Sequence, residues 1–137
     1  MMTTFDINSI LFRILSKSSL NGNITGGFYL GNDRPVDSNL EDIVINSISM
    51  TQDYHPQIAT SNVNIYVPDK QIKIKGKEQQ VSDSRRLSEL SKEAINILKQ
   101  AQVYGLTITT ESQMTLDEPS INQHFVNIRV KWNIQTD

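Results

Sequence analysis

Residues 126–134 read Val-Asn-Ile-Arg-Val-Lys-Trp-Asn-Ile, and this stretch decides the fold. Apolar and polar side chains alternate over all nine residues, which is the period of a β-strand with one buried face. The other face carries Arg129 and Lys131 between apolar neighbours. Charges in such positions protect an edge strand from unwanted pairing, or they face a charged partner. The stretch therefore predicts a sheet that needs an apolar layer on one side.

A long amphipathic helix over residues 82–103 is predicted to supply that layer. Ser82 or Ser84 is the expected N-cap, and Gly105 suits the position just beyond the C-terminus of the helix. One apolar stripe runs along it, formed by Leu87, Leu90, Ala94, Ile97, Leu98 and Ala101. Because strand and helix are each apolar on one side only, we expect the apolar face of residues 126–132 to pack against this stripe.

A shorter amphipathic helix is predicted over residues 7–18. Its apolar residues follow the i, i+3, i+4, i+7 spacing of a helix with one buried face. Asp6 stands at the expected N-cap, where its charge suits the positive end of the helix. Asn21 and Gly22 are expected to end the helix, and Phe12 lies off the apolar stripe, where it would be exposed.

Four further strands are predicted at residues 24–30, 42–51, 62–67 and 106–116, with a loop at 52–59. The second of these changes apolar phase near Asn46, which indicates a β-bulge. In the last of them, every even-numbered side chain is expected on one face. The order α-β-β-β-α-β-β predicts a single α+β domain over residues 1–137, with a mainly antiparallel sheet packed by two helices.

The composition is typical of one intracellular domain. Its 137 residues, 15.5 kDa in mass, suffice for one domain with its own core. The absence of cysteine excludes disulfide frameworks, thiol nucleophiles and thiolate zinc sites. A net charge of -2 gives no general attraction to nucleic acid or anionic lipid. No apolar run approaches a membrane span, and residues 1–6 lack the basic segment of a signal peptide, so we expect no membrane partner.

Catalytic signatures are missing from the sequence. It has no phosphate-binding loop, dinucleotide fingerprint, zinc-protease motif or serine-hydrolase motif. His55 and His124 are the only histidines, and we assign no catalytic, cofactor-binding or metal-binding residue. Three acidic pairs occur in expected loops: Glu41 with Asp42, Asp117 with Glu118, and Asp33 with Asp37. We interpret them as solvated turn residues, because paired catalytic carboxylates sit on opposing elements of a pocket.

A basic segment gives the chain an uneven charge distribution. Residues 70–99 contain eight basic and four acidic side chains, a net charge of +4, so the remainder carries -6. Within this segment, residues 69–81 are predicted to form an extended polar arm with some hairpin character. The segment has three interpretations: a solvated surface, a nucleic-acid patch without interleaved aromatic residues, or an arm that docks on an acidic surface of the next subunit.

We expect the arm to contact another copy of the chain. Ile72 and Ile74 would be costly to leave in water, so a neighbouring subunit is expected to cover them together with at least two of the arm lysines. Replacing the four arm lysines by Glu should then block assembly. The predicted subunit-interface residues are Lys70, Ile72, Lys73, Ile74, Lys75, Lys77, Arg129 and Lys131.

The order of the elements and the residues of the strands resemble those of a known family. A short N-terminal helix and a glycine-rich turn lead to Phe28-Tyr29-Leu30, and a strand with Ile43-Val44-Ile45-Asn46 follows. Residues 62–69 read Asn-Val-Asn-Ile-Tyr-Val-Pro-Asp, and Arg86-Leu87 opens a long helix. The terminal hairpin contains Phe-Val-Asn-Ile-Arg-Val at 125–130. This layout resembles the tail terminator (tail-completion) proteins of bacteriophages and prophages, and the related head-to-tail joining proteins.

The resemblance implies a non-enzymatic structural protein of the virion. Proteins of that family form closed rings, typically hexameric, that cap the tail tube and join it to the head connector, and their subunits extend an arm to a neighbour. The implied partners are further copies of the chain, the tail-tube protein and the head-connector protein, with DNA passing through the lumen without specific contacts. The implied location is the virion, after synthesis in the cytoplasm of the bacterial host.

Two other functions remain open at the level of the sequence. The first is a cytoplasmic α+β module that binds a ligand or protein on its helix-on-sheet surface. The second is a small enzyme whose site is built from loop acids and His55 or His124. Self-association separates the ring-forming protein from both, and a pocket with strongly perturbed carboxylates or histidines would favour the enzyme.

Overall fold

A five-stranded sheet covered by two helices organises the chain in a computed structural model, which describes residues 1–135. The helices are α1 (Thr4–Ser16), α2 (Leu20–Asn23) and α3 (Ser84–Gln100), with a 3-10 turn at Pro119–Ile121. The strands are β1 (Phe28–Leu30), β2 (Asp42–Met50), β3 (Gln57–Pro68), β4 (Lys70–Ile74), β5 (Lys77–Val81), β6 (Leu106–Glu118) and β7 (Gln123–Ile134). The predicted α+β class and its mainly antiparallel sheet are confirmed.

The order of the strands in the sheet is β1-β2-β3-β7-β6, so β7 is an interior strand between β3 and β6. Its Ile128 stands opposite Val63 on one side and Gln113 on the other, in antiparallel register. Only β1 is parallel to its neighbour, β2. Arg129 and Lys131 therefore lie on an interior strand, so the interpretation that they protect an edge strand is wrong. The edges of this sheet are β1 and β6.

The core lies between this sheet and helices α1 and α3. The apolar face of β7 and the stripe of α3 belong to one buried cluster, as predicted. The fully buried members include Trp132, whose Nε1 donates a hydrogen bond of 2.9 Å to Ser61 Oγ. Ile97 is only partly buried at the margin of the cluster. Among residues 1–135, no helix has both the length and the apolar character needed to cross a membrane.

The N-terminal helices differ from the prediction in their ends. Helix α1 begins at Thr4, and Asp6 is not its N-cap, because the Asp6 carboxylate accepts a hydrogen bond from the backbone N–H of the capping residue Thr3 (2.8 Å). The helix ends at Ser16, before the residues expected to stop it, and those residues form part of α2. Phe12 is partly buried and meets Phe28 edge to face, with ring centroids 6.4 Å apart.

Helix α3 also has different caps. Its N-cap is Asp83, whose carboxylate accepts a hydrogen bond from the backbone N–H of Arg86. The helix ends at Gln100, so Gly105 does not terminate it. Gly105 instead has φ of +78° in the turn that leads into β6, a conformation that glycine adopts without strain.

Two strands at the start of the sheet have other lengths than predicted. Strand β1 contains three residues, and β3 begins at Gln57, inside the expected loop. The core face of β3 starts with Gln57, Ala59 and Ser61, so its first half lacks the large apolar residues that indicate a strand. The bulge of β2 exists but lies between Ser47 and Ser49, beyond the predicted position.

A bulge also changes which side chains of β6 face the core. The register with β7 shifts between Thr110 and Ser112, so the even-numbered residues beyond it point away from the helices. Met114 and Leu116 are 54% and 40% exposed there. The prediction that residues 106–116 present one continuous even-numbered face is therefore wrong.

Candidate assembly surface

The predicted arm is a two-stranded hairpin of strands β4 and β5. Lys70 pairs with Val81 at its base and Ile74 with Lys77 at its tip. Lys75 and Gly76 form a two-residue turn with φ values of +51° and +80°, the pattern of the turns that suit a tight hairpin. In the part of the chain that the structure describes, neither strand joins the five-stranded sheet.

The two faces of the hairpin differ in character. Ile72 and Ile74 lie on one face, each 40% exposed, with Lys70 and Lys77 beside them. The opposite face is polar and carries Lys73 across from Glu78. One face of the arm therefore presents a partly exposed apolar pair framed by positive charge.

The base of the hairpin is fixed to the domain at three points. The backbone N–H of Asp69 donates to Asn122 O (3.0 Å), and the Asp69 carboxylate lies 2.6 Å from Nδ1 of His124. Lys70 Nζ lies 3.8 Å from Asp83 Oδ1 at the start of α3. His124 thus holds the root of the arm, and one of the four predicted interface lysines already has an acidic partner in its own subunit.

The remaining predicted interface residues, Arg129 and Lys131, are not brought next to the arm. Both lie on the outer face of the sheet, opposite the helices. The hairpin leaves the domain beside Gln123, and a rise of about 3.3 Å per residue puts Lys131 roughly 25 Å further along β7. The structure therefore separates these two residues from the hairpin.

The acidic pair Glu41 and Asp42 is buried, so its interpretation as solvated turn residues is wrong. Asp42 is fully buried and accepts hydrogen bonds from Arg34 Nε (2.8 Å), Ser38 Oγ (2.5 Å) and the backbone N–H of Gly27 (2.9 Å). Arg34 also covers the ring of Tyr66, 4.1 Å from its centroid. These contacts hold the loop before β2 against the outer face of the sheet. The other acidic pairs lie at or near the surface.

Glu41 forms a second ionic joint, with Arg86 of α3. Its carboxylate accepts hydrogen bonds from Nε (2.6 Å) and Nη2 (2.8 Å) of the guanidinium, which also donates to the backbone oxygen of Asn23. These hydrogen bonds raise the pKa of Arg86 further above its ordinary value, with a smaller contribution from Glu89. Burial raises the pKa of Tyr66, against the opposing effect of Arg34. The ion pairs of Asp42 with Arg34 and of Glu41 with Arg86 thus connect β2 and the loop before it with each other and with α3.

One cleft of the domain, at the start of α3, is lined by the charged side chains of Lys70, Asp83, Arg85, Arg86 and Glu89. A groove of about 210 Å³ between α3 and β6 is lined by Ser84, Leu87, Ser88, Ser91, Gln113, Thr115 and Val126. This lining contains hydroxyl groups but no histidine, lysine or carboxylate that could activate one of them. Within residues 1–135, no three histidine or acidic side chains gather as ligands for a metal ion. His55 lies in the loop between β2 and β3, apart from His124.

One exposed apolar surface escaped the sequence analysis. Met114 and Leu116 lie on the outer face of β6, and Leu116 stands opposite Phe125, whose ring stacks on Tyr66 at 4.8 Å. The apolar residues of β6 keep even numbers on both sides of the polar Thr110 and Ser112, so the pattern contains no signal that the side chains beyond the bulge change face. Only the strand register reveals them.

Comparisons with known proteins leave the function to be argued from these surfaces. No model of a protein family matches the chain, and no curated protein matches it at a significant level. The hairpin remains the feature with the strongest indication of a partner, because it combines exposed isoleucines, clustered lysines and a fixed base.

Proposed function

We propose that this chain is a non-enzymatic structural protein that assembles with copies of itself into a ring through the hairpin β4–β5, at the head–tail junction of a bacteriophage particle. The observation that carries the proposal is the exposure of Ile72 and Ile74 on a hairpin that joins no other strand within residues 1–135. Full burial of an exposed isoleucine is worth about 1.5–3 kcal/mol, so covering the 40% that is still exposed recovers about 0.6–1.2 kcal/mol for each side chain.

The charge distribution favours a second copy of the chain as the partner. Residues 70–99 carry +4 and the remainder carries -6, so the basic arm of one copy meets a surface of opposite charge on the next. A contact between two different surfaces of identical chains is head-to-tail, and repeated contacts of this kind close into a ring when the rotation permits.

The location in the virion is proposed on the resemblance to tail terminator proteins. This resemblance implies a ring of six copies, contact with the tail tube and head connector, and DNA passing through the lumen. Electron microscopy of the purified protein tests the ring, and addition of the protein to terminator-deficient tails of its own phage tests the location.

Sedimentation velocity of the purified chain tests assembly through the hairpin. The test variant replaces Lys75 and Lys77 by Glu. Lys70 is kept because it faces Asp83 in its own subunit, and Lys73 is kept because it lies on the opposite face, across from Glu78. The matched control replaces Arg13 and Lys17 by Glu, which are exposed positions at the end of α1 and outside the basic segment. Both variants change the net charge by the same amount.

We expect the wild-type chain and the control variant to sediment as one closed oligomer, and the hairpin variant to remain monomeric with an unchanged circular dichroism spectrum. High salt should weaken wild-type assembly modestly, because exposed charges are screened beyond about 8–10 Å. A wild-type chain that stays monomeric at every concentration, or a hairpin variant with the oligomer mass of the wild type, would contradict the proposal.

A further inference from the structure

We infer that the surface receiving the hairpin is the outer face of β6 on the next copy of the chain, with Ile72 and Ile74 packed against Met114 and Leu116. This inference rests on the proposed function, because it names the partner surface of that assembly. It adds the receiving surface to the proposed assembly, so that both sides of the contact are assigned to particular strands.

The first argument is the state of β6 as an edge strand. It pairs with β7 on one side and with no other strand in the described part of the chain. Its last seven residues continue beyond the bulge with Met114 and Leu116 exposed by 54% and 40%. The half-buried Phe125 extends this apolar surface onto the neighbouring strand. A surface of this kind on a sheet edge is suited to another strand or hairpin.

The second argument is charge. Residues 70–81 contain four lysines and one glutamate, a net charge of +3. Strand β6 contains Glu111, Asp117 and Glu118 and no basic residue, a net charge of -3. Of these, Glu118 lies on the same face as Met114 and Leu116, whereas Asp117 lies on the opposite face. The acidic character of β6 favours this contact over a hairpin-to-hairpin contact, which would bring lysines together.

The third argument is the spacing of the apolar side chains. Ile72 and Ile74 are two residues apart on one face of β4, and Met114 and Leu116 are two residues apart on one face of β6. Such pairs are spaced about 6.5–7 Å along each strand, so both can meet at once. Glu118 continues the same face of β6, as Lys70 and Lys77 frame the isoleucines on the hairpin. Both surfaces therefore combine an apolar pair with flanking charge of opposite sign.

Charge reversal on both surfaces tests the inference. The hairpin variant is Lys75→Glu and Lys77→Glu, and the strand variant is Glu111→Lys and Glu118→Lys. We expect each variant alone to sediment as a monomer and a mixture of the two to form hetero-oligomers, because reversed charges again face opposite ones. The strand variant is matched by Asp33→Lys and Asp37→Lys, which should keep the wild-type oligomer.

Introduced cysteines give a second test that does not depend on charge. The chain has no cysteine of its own, so Ile74→Cys mixed with Met114→Cys offers one defined pair. Under mild oxidation we expect a disulfide-linked dimer containing one of each chain, as mass spectrometry would identify. The control pairs Ile74→Cys with Ile48→Cys, an exposed position on β2 that should stay unlinked.

The outcomes separate the inference from the function on which it rests. If the wild-type chain forms an oligomer, but the reversed variants do not combine and the cysteines at residues 74 and 114 do not join, the receiving surface is wrong and the proposed function stands. If the wild-type chain is monomeric at every concentration, both are overturned. Hetero-oligomers together with the mixed disulfide support both.

Discussion

Shortening Ile128 should show that the centre of β7 is the most sensitive part of the core. The side chain is completely buried and lies between Val63 and Gln113 on the adjacent strands. Alanine lacks three of its carbon atoms, and about 0.8 kcal/mol for each buried CH2 gives a transfer loss of about 2.4 kcal/mol. The cavity left behind adds to this loss, so we expect Ile128→Ala to lower the free energy of unfolding by about 2–5 kcal/mol.

Urea unfolding followed by circular dichroism measures the effect, with Ile128→Val as a graded variant expected to cost about 0.5–1.5 kcal/mol. The matched control is Ile48→Ala, the same deletion at a side chain that is 56% exposed, where a change within about 0.5 kcal/mol is expected. Equal costs for the alanine variants at positions 128 and 48 would refute the placement of β7 at the centre of the core.

Two further predictions concern the loop before β2. Asp42→Ala should lower the free energy of unfolding by about 3–5 kcal/mol, because it leaves the Arg34 guanidinium without its buried carboxylate partner. Urea unfolding measures this loss, and a value below about 1 kcal/mol would contradict the pairing. Gly26→Ala should destabilise the domain by about 1–3 kcal/mol in a thermal melt, because its Cβ would lie 2.5 Å from Glu41 O and closer still to the Asp42 carboxylate. The control Gly22→Ala, with open space around its Cβ, should melt like the wild type.

The sequence predicted the strand and helix whose apolar periods are long and uninterrupted. Strand β7 and helix α3 each need one buried face, and a single large core is the only way to cover both. The limits of β3 were missed because Gln57 and Ser61 are polar residues on the core face. Gln57 satisfies its amide with backbone groups of Met2 and Thr51, contacts that no local pattern contains.

The sequence predicted the hairpin side of the candidate contact but not the exposed surface of β6. The hairpin could be recognised because its lysines and isoleucines are consecutive in the chain, where composition alone makes them conspicuous. Burial of Glu41 and Asp42 depends on Arg86 and Arg34, and the first of these partners lies 45 positions away. The exposure of Met114 depends on one extra residue in a strand. Distant partners and register are set by the assembled fold, so residue type and spacing do not reveal them.

The central place of β7 also determines the order in which the sheet can form. Strand β7 follows every other strand along the chain, yet it lies between β3 and β6. Asn127 Nδ2 donates to Asn62 Oδ1 across 65 positions, and such non-local pairing slows folding. Until β7 has been synthesised, the edge of β3 that pairs with it is unpaired, and β6 has no partner strand. The nascent chain thus carries unpaired edges that invite aggregation, and closure of the sheet is a late event of folding.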